Sequence, residues 1–138
     1  MLKRLALVVA VILAFSLVGE KSLIFNIEGD YTFYLNSASS NAKIITVSYD
    51  DAKEIKKSLK NVCGESVTTT CMSEIEKEIQ RLNAQLVFSE KVDNIIINYY
   101  YSDKISAYKT INGHKINLQT AINENIITIG SPIIFGSF

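Results

Sequence analysis

The chain has 138 residues, with 14 basic and 14 acidic side chains, so its formal net charge at neutral pH is zero. This balance lacks the basic excess that marks nucleic-acid-binding domains, and we expect no nucleic-acid partner. Removing an N-terminal segment of about 20 residues leaves enough chain for one hydrophobic core but not for two.

The first 18 residues have the pattern of an export segment. Lys3 and Arg4 precede an unbroken apolar run over residues 5–18. A short basic start followed by such a run is typical of a secretory signal peptide or an N-terminal anchor. The run is shorter than the roughly 20 apolar residues of a membrane-spanning helix. Small residues at the positions that a signal peptidase reads predict cleavage after Ser16, and cleavage near Gly19 is a second option.

Two alternatives to a cleaved signal peptide stay open. Residues 1–19 could remain as a membrane anchor with the basic end on the cytoplasmic side, or they could form a buried helix of a cytosolic protein. No Cys follows the run directly, which argues against a lipoprotein, and Glu20 lies beyond the run, unlike the acidic residue of a type IV pilin leader. No basic cluster follows the run, so binding to anionic lipid is not predicted. We expect an extracytoplasmic protein, secreted or anchored to the outer side of the cytoplasmic membrane, with residues 20–138 forming one domain.

Short strands are predicted after this segment. Residues 23–27 and 31–35 are apolar and aromatic, and Glu28-Gly29-Asp30 between them predicts a hairpin turn. The first of these arms could instead be the frayed end of an anchor helix. Small polar residues at 36–42 indicate a loop, and the β-branched stretch from Lys43 to Ser48 predicts another strand.

Two amphipathic helices are predicted next, over residues 50–60 and 73–87. Apolar side chains recur at spacings of three and four in both segments, which places each set on one helix face. Ser48 supplies a capping oxygen for the first helix, and Ser73 with Glu76 has the spacing of a capping box for the second. The apolar sets are Ala52, Ile55 and Leu59, and Ile75, Ile79, Leu82 and Leu86.

The two cysteines predict a disulfide. Cys63 and Cys71 bracket GESVTTT, a polar stretch that is typical of a loop. In an oxidising compartment an isolated pair at this spacing favours a cross-link, which restricts the unfolded chain by roughly 2–3 kcal/mol. The bond would join the end of the first helix to the start of the second. Free buried thiols are the alternative, whereas a zinc site lacks ligands because His114 is the single histidine.

The C-terminal half predicts antiparallel sheet. Asn112-Gly113 is a strong hairpin signal between residues 104–111 and 114–122, and a two-residue turn there pairs Ile111 with His114 and Lys109 with Ile116. The apolar face of this hairpin would hold Ile105, Ala107, Ile111, Ile116 and Leu118, and the polar face Ser106, Tyr108, Thr110, Lys115, Asn117 and Gln119.

Three more strands complete the predicted sheet. Residues 94–101 are apolar on both faces, which indicates a central strand, with Ile95, Ile97, Tyr99 and Tyr101 on one side. Residues 126–129 predict a further strand, and residues 133–135 a last edge segment. Strands grouped apart from helices indicate an α+β fold, a mainly antiparallel sheet of hairpins and meanders with two helices packed on one face, preceded by the apolar export or anchor helix.

The end of the chain carries a family resemblance. Residues 117–138 contain Gly130-Ser131-Pro132-Ile133-Ile134. This pattern resembles the C-terminal tail of the YwmB family of exported Firmicute proteins. The resemblance implies export and an α+β fold, and it implies no activity and no catalytic residues.

Motifs for catalysis, cofactors and metals are absent from the sequence. It has no Gly-rich phosphate loop, no His-Glu-x-x-His and no nucleophile elbow. His114 is interpreted as a solvated turn residue, and Asp50, Asp51 and Glu54 as helix-capping charges. The consecutive residues Tyr99, Tyr100 and Tyr101 alternate between two faces and are interpreted as packing residues. We predict no catalytic residue, no cofactor and no metal.

Two function classes are compatible with the sequence. The first is a small non-enzymatic module that binds a protein or an envelope component through the candidate interaction face of Tyr108, Lys115, Asn117 and Gln119. The alternative is a small extracytoplasmic enzyme, hydrolase-like, with a dispersed site. A deep pocket with convergent acid, base or hydroxyl groups would favour the enzyme.

Overall fold

The computed structural model describes residues 22–35 and 43–135, and the predicted export segment and the loop at 36–42 lie outside them. The described part is mostly antiparallel sheet with two helices, which confirms the α+β class. The helices are α1 (Tyr49–Ser58) and α2 (Met72–Arg81). The strands are β1 (Asp30–Leu35), β2 (Lys43–Ser48), β3 (Val62–Thr69), β4 (Gln85–Val92), β5 (Ile95–Tyr101), β6 (Lys109–Ile111), β7 (His114–Ile116), β8 (Leu118–Asn123) and β9 (Ile126–Ser131).

Seven of the strands form one sheet in the order β2-β1-β3-β9-β8-β5-β4. Every neighbouring pair in it is antiparallel. β6 and β7 form a separate two-stranded hairpin. Among the described residues, no helix has the length and apolar composition needed to cross a membrane.

Both helices cover the same face of the sheet. Tyr31, Val67 and Ile129 lie opposite one another on β1, β3 and β9, so their side chains share one face, and all three are fully buried. Ala52 of α1 and Ile75 of α2 belong to the same cluster of buried side chains. This cluster is the main core, and the helices supply its second layer.

The opposite face is partly covered by the β6–β7 hairpin and by residues 132–135. Ile116 of β7 packs against Ile97 and Tyr99 of β5 in a second buried cluster. The ring of Phe135 lies against Tyr34, 5.3 Å between centroids, and over Gly64, where an added Cβ would lie 2.6 Å from that ring. The prediction of an edge strand at residues 133–135 is therefore wrong, because this segment crosses the sheet face.

Several local predictions are confirmed. β1, β2, β5 and β9 form at the predicted places. The β6–β7 hairpin pairs Ile111 with His114 and Lys109 with Ile116. Asn112 and Gly113 both have positive φ, 51° and 79°, as this turn requires. The paired segments are shorter than predicted, because the chain after β7 leaves the hairpin and joins the large sheet as β8.

Other local predictions are wrong. Residues 23–27 form no strand, and the stretch between the cysteines is strand β3 instead of a loop. The second helix ends at Arg81 because Asn83 adopts a left-handed conformation (φ 49°). The N–H groups of Asn83 and Ala84 then bond back to Gln80 and Ile79, which is a Schellman end, and the chain turns into β4. Cys71 is the residue before α2, so the predicted capping box from Ser73 does not form.

Candidate functional site

The segment that follows the predicted export segment is fixed to the domain. Residues 22–27, which we call the strap, have no regular secondary structure, yet Phe25 and Ile27 are buried in the main core. The hydroxyl of Tyr31 accepts a hydrogen bond from the N–H of Ile27 and lies 3.0 Å from the carbonyl oxygen of Phe25. Burial of this phenol raises the pKa of Tyr31 above its ordinary value. The strap is therefore part of the folded domain.

A buried ion pair holds the first half of the strap. Lys56 of α1 and Glu65 of β3 are both buried, and Nζ of Lys56 lies 2.7 Å from Oε1 of Glu65. The ammonium also donates to the carbonyl oxygen of Ser22 at 2.7 Å. Oε2 of Glu65 accepts the N–H groups of Ile24 and Phe25 at 2.8 and 3.0 Å. Both carboxylate oxygens are thus engaged, which offsets the cost of burying the charge.

A second ion pair holds the next part of the strap. Arg81 at the end of α2 donates from Nε and Nη2 to the two carboxylate oxygens of Glu78, at 3.0 and 2.7 Å. Nη2 also donates to the carbonyl oxygen of Ile24, and Glu78 accepts the N–H of Asn26 at 3.3 Å. The hydrogen bonds to Glu78 raise the pKa of Arg81 above its ordinary value. Two carboxylates and two cations therefore bind the strap through its backbone groups.

A cleft of about 860 Å³ opens beside the strap. This volume lies within the range of small-molecule binding sites. Residues 22–24 form one wall, and the other walls come from the end of α1, the start of β3, the end of α2, the segment after β5 and the end of β9. Four cationic side chains line the cleft: Lys56, Lys60, Arg81 and Lys104. We call it the basic cleft.

The charge of the basic cleft is only partly compensated. The charges of Lys56 and Arg81 are paired with Glu65 and Glu78. Lys104 donates to the carbonyl oxygen of Arg81 at 2.8 Å, a favourable position for a cation at a helix C-terminus. Within residues 22–35 and 43–135, neither Lys60 nor Lys104 has a carboxylate within ion-pair distance. Two exposed cations at the cleft therefore have no ion-pair partner among these residues.

A hydroxyl and a thiol also belong to the lining. Ser131 is 1% exposed, and its Oγ has no hydrogen-bond partner in the described part of the chain. Cys63 is exposed at the start of β3. No described hydrogen bond joins either group to a base. No group of three or more His, Cys, Asp or Glu side chains within the described ranges could hold a metal ion.

The predicted disulfide is wrong. Cys63 and Cys71 are both free and exposed. Cys63 lies in β3, and the six residue steps from Cys63 to the end of this strand at Thr69 span roughly 20 Å, whereas a disulfide needs Cα atoms within about 7 Å. Cys71 has a distinct environment, because hydrogen bonds from the Ser73 hydroxyl and the Glu74 backbone lower the pKa of its thiol.

The predicted interaction face is divided by the structure. Tyr108 and Lys115 are exposed, and Nζ of Lys115 lies 4.8 Å from the centroid of the Tyr108 ring. Asn117 and Gln119 are buried, so they cannot present a surface. Asn117 donates to the carbonyl oxygens of Ser102 and Ile105, at 2.6 and 2.9 Å, and thereby holds the segment that lines the basic cleft.

Gln119 fixes the end of the described chain. Its Oε1 accepts the N–H of Ile134 at 2.7 Å, which holds residues 132–135 across the sheet. The alternation predicted from the sequence fails here because the chain passes from the hairpin into the large sheet between β7 and β8. His114, at the predicted turn, is exposed with its ring 6.0 Å from that of Phe88, and it does not line the basic cleft.

Comparison of the chain with protein-family models, with curated proteins and with solved structures finds no significant match. The resemblance of residues 117–138 to the YwmB family therefore stays a prediction.

Proposed function

We propose that this protein is a small extracytoplasmic binding module without enzymatic activity, which receives an envelope component in the basic cleft. Its N-terminal apolar segment serves for export or as an anchor. The observation that carries the proposal is the placement of the strap, because the residues that follow the apolar segment are also one wall of the cleft. An apolar segment in the membrane would therefore hold the cleft close to the membrane surface.

The chemistry of the cleft favours binding over catalysis. Glu65 is the acidic residue of the lining, and its two oxygens are occupied by Lys56 and by the strap. A nucleophilic thiol or hydroxyl needs an adjacent base, and Cys63 and Ser131 have none among their described hydrogen bonds. Uncompensated cations and an open cleft are features that recognise an anion without transforming it.

Export is tested with a reporter enzyme that is active only outside the cytoplasm, fused after Phe138 of the full chain. We expect reporter activity from the native sequence. The double variant Val9→Arg/Ile12→Arg should abolish it, because charges in the apolar run oppose membrane insertion. The control Val9→Leu/Ile12→Leu should retain it. A native chain that stays in the cytoplasm would overturn the proposed function.

Binding at the cleft is tested by site-directed photo-crosslinking. In cells that carry Cys71→Ser, a photoreactive maleimide placed on Cys63 lies at the cleft. The matched control carries Cys63→Ser and the same probe on Cys71, outside the cleft. We expect an envelope-derived adduct from the first protein and not from the second. Equal adducts from both positions would refute binding in the cleft. Turnover of the captured compound by the native chain would refute the absence of enzymatic activity.

A further inference from the structure

We propose that the basic cleft binds the phosphate group of an amphipathic anion, such as the headgroup of an anionic phospholipid. This inference rests on the proposed function and names the class of ligand. The cations of the cleft come from α1, from the turn after α1, from α2 and from the segment after β5. The fold therefore assembles a positive site within a chain of zero net charge.

The ammonium groups of Lys60 and Lys104 favour binding of an anion. Lys60 and Lys104 are exposed, and in the described part of the chain neither has a carboxylate within ion-pair distance. Their ammonium groups can approach a bound anion without breaking a described ion pair. Because the Lys56–Glu65 pair beside them is internally neutral, it adds little repulsion or attraction for the ligand.

The donors of the cleft fit a phosphate in particular. Arg81 uses Nε and Nη2 in its described hydrogen bonds, and its side chain is 47% exposed, so Nη1 remains available to a ligand oxygen. The Ser131 hydroxyl is buried at the end of β9 with no described partner. Guanidinium and ammonium donors around one space are a usual set for a phosphate, which offers several strong acceptor oxygens.

Part of the lining is apolar, which fits a phosphate attached to a hydrocarbon portion. Leu23 of the strap, Leu59 and Val62 are partly exposed beside the cations. A free inorganic anion would leave these side chains in contact with water. An amphipathic ligand covers them while its phosphate contacts Lys60 and Lys104.

The position of the strap favours a membrane lipid as the source of the bound phosphate group. Ser22 lines the cleft, and the apolar run ends at Val18. Four residue steps span at most about 14 Å of extended chain. While the apolar segment is still in the bilayer, the cleft therefore lies within reach of the headgroup layer, which is roughly 5–7 Å deep.

The ligand is tested on the full chain, solubilised in a non-ionic detergent and titrated by calorimetry. The three probes are dihexanoyl phosphatidylglycerol, dihexanoyl phosphatidylcholine and sn-glycerol 3-phosphate. The variant Lys60→Glu/Lys104→Glu removes the uncompensated cations. The control Lys53→Glu/Lys91→Glu makes the same charge change at exposed lysines outside the cleft. Lys60→Glu alone is the second variant, since Lys60 makes no described hydrogen bond whose loss would unfold the chain.

We expect phosphatidylglycerol to bind, with binding weakened by at least about 30-fold in the double cleft variant and an unchanged constant in the control. Each lysine contributes about a 5-fold factor, and the glutamate that replaces it adds repulsion. Binding of glycerol phosphate with the same variant effect would support a phosphate site with a soluble source. No binding of either anion, or equal losses in both double variants, would overturn the inference. The export assay is independent, so that result would leave the proposed location intact.

Discussion

Breaking the buried pair between Lys56 and Glu65 should destabilise the domain far more than removing both charges together. Glu65→Gln leaves the Lys56 ammonium, which is 6% exposed, without its carboxylate. Lys56→Met leaves the Glu65 carboxylate with two backbone N–H groups as its donors. An uncompensated buried charge costs about 3 kcal/mol or more, so we expect each single variant to lose about that free energy of unfolding.

The double variant Lys56→Met/Glu65→Gln should lose much less. The glutamine oxygen can still accept from Ile24 and Phe25, and methionine replaces the buried stem of the lysine. Replacing a buried ion pair with uncharged side chains is often nearly neutral. The carbonyl oxygen of Ser22 loses its bond from Lys56, and the glutamine amide nitrogen becomes a buried donor that needs an acceptor. We expect a loss of about 2 kcal/mol or less, well below the additive value.

Urea unfolding followed by circular dichroism measures these differences, since the chain has no Trp for fluorescence. Hydrogen exchange of residues 22–27 gives a local measurement, and protection of the strap should fall in both single variants. The exposed pair Glu54–Lys57 is the control, and Glu54→Gln and Lys57→Met should each change stability by less than about 0.5 kcal/mol. A loss of less than about 1 kcal/mol in the free energy of unfolding of each single variant would refute this account of the strap. A double variant whose loss equals the sum of the two single losses would also refute it.

Three further predictions concern other parts of the molecule. Both Cys63 and Cys71 should be alkylated in the folded chain without prior reduction, and Cys71 should react faster because its pKa is lowered; labelling only after reduction would contradict the free thiols. Asn117→Ala should cost about 2–4 kcal/mol in thermal unfolding because buried partners lose their hydrogen bonds, whereas the exposed Lys115→Ala should be near neutral; similar effects of the two would count against the buried network. Burial and the acceptor Glu90 raise the pKa of Tyr99 from its ordinary value near 10 to about 12, so its contribution to stability should be lost as the pH rises from about 10 to 12. Tyr99→Phe should flatten that part of the stability profile, and an unchanged slope would oppose this assignment.

The sequence predicts structure well where a local signal decides it. Asn112-Gly113 fixes the register of the β6–β7 hairpin, because the left-handed backbone at both positions allows one two-residue turn. The alternation of apolar residues predicts which side chains of β5 share a face. The Ala52 and Ile75 stripes predict which sides of the helices face the core.

Predictions from the sequence are wrong where the structure of a segment depends on residues that are distant in the chain. Strand β3 contains Glu65 in a polar stretch, and its burial is favourable only because Lys56 and the strap bind both of its oxygens. The strap has an apolar pattern typical of a strand, yet the two carboxylates take the place of a strand partner. A local pattern carries no information about such partners, so it predicts the wrong structure for both segments.

The basic cleft could not be found from the sequence for a related reason. Lys60 and Lys104 lie far apart in the chain, and no basic cluster follows the apolar run. Both line the basic cleft because Asn117 holds the segment after β5 at one of its walls. The prediction of the interaction face is wrong for a different reason. Its polar residues Asn117 and Gln119 are buried, where they form hydrogen bonds with backbone groups.

The order of the strands has a consequence for the time at which the domain can fold. β9 is the last strand in the described chain, yet it occupies the middle of the sheet, between β3 and β8. Until β9 emerges during synthesis, the sheet consists of two halves without a connecting strand. Such non-local pairing slows folding. In an exported chain, this delay would keep the sheet incomplete, and the polypeptide able to pass through a translocation channel, until β9 has been synthesised.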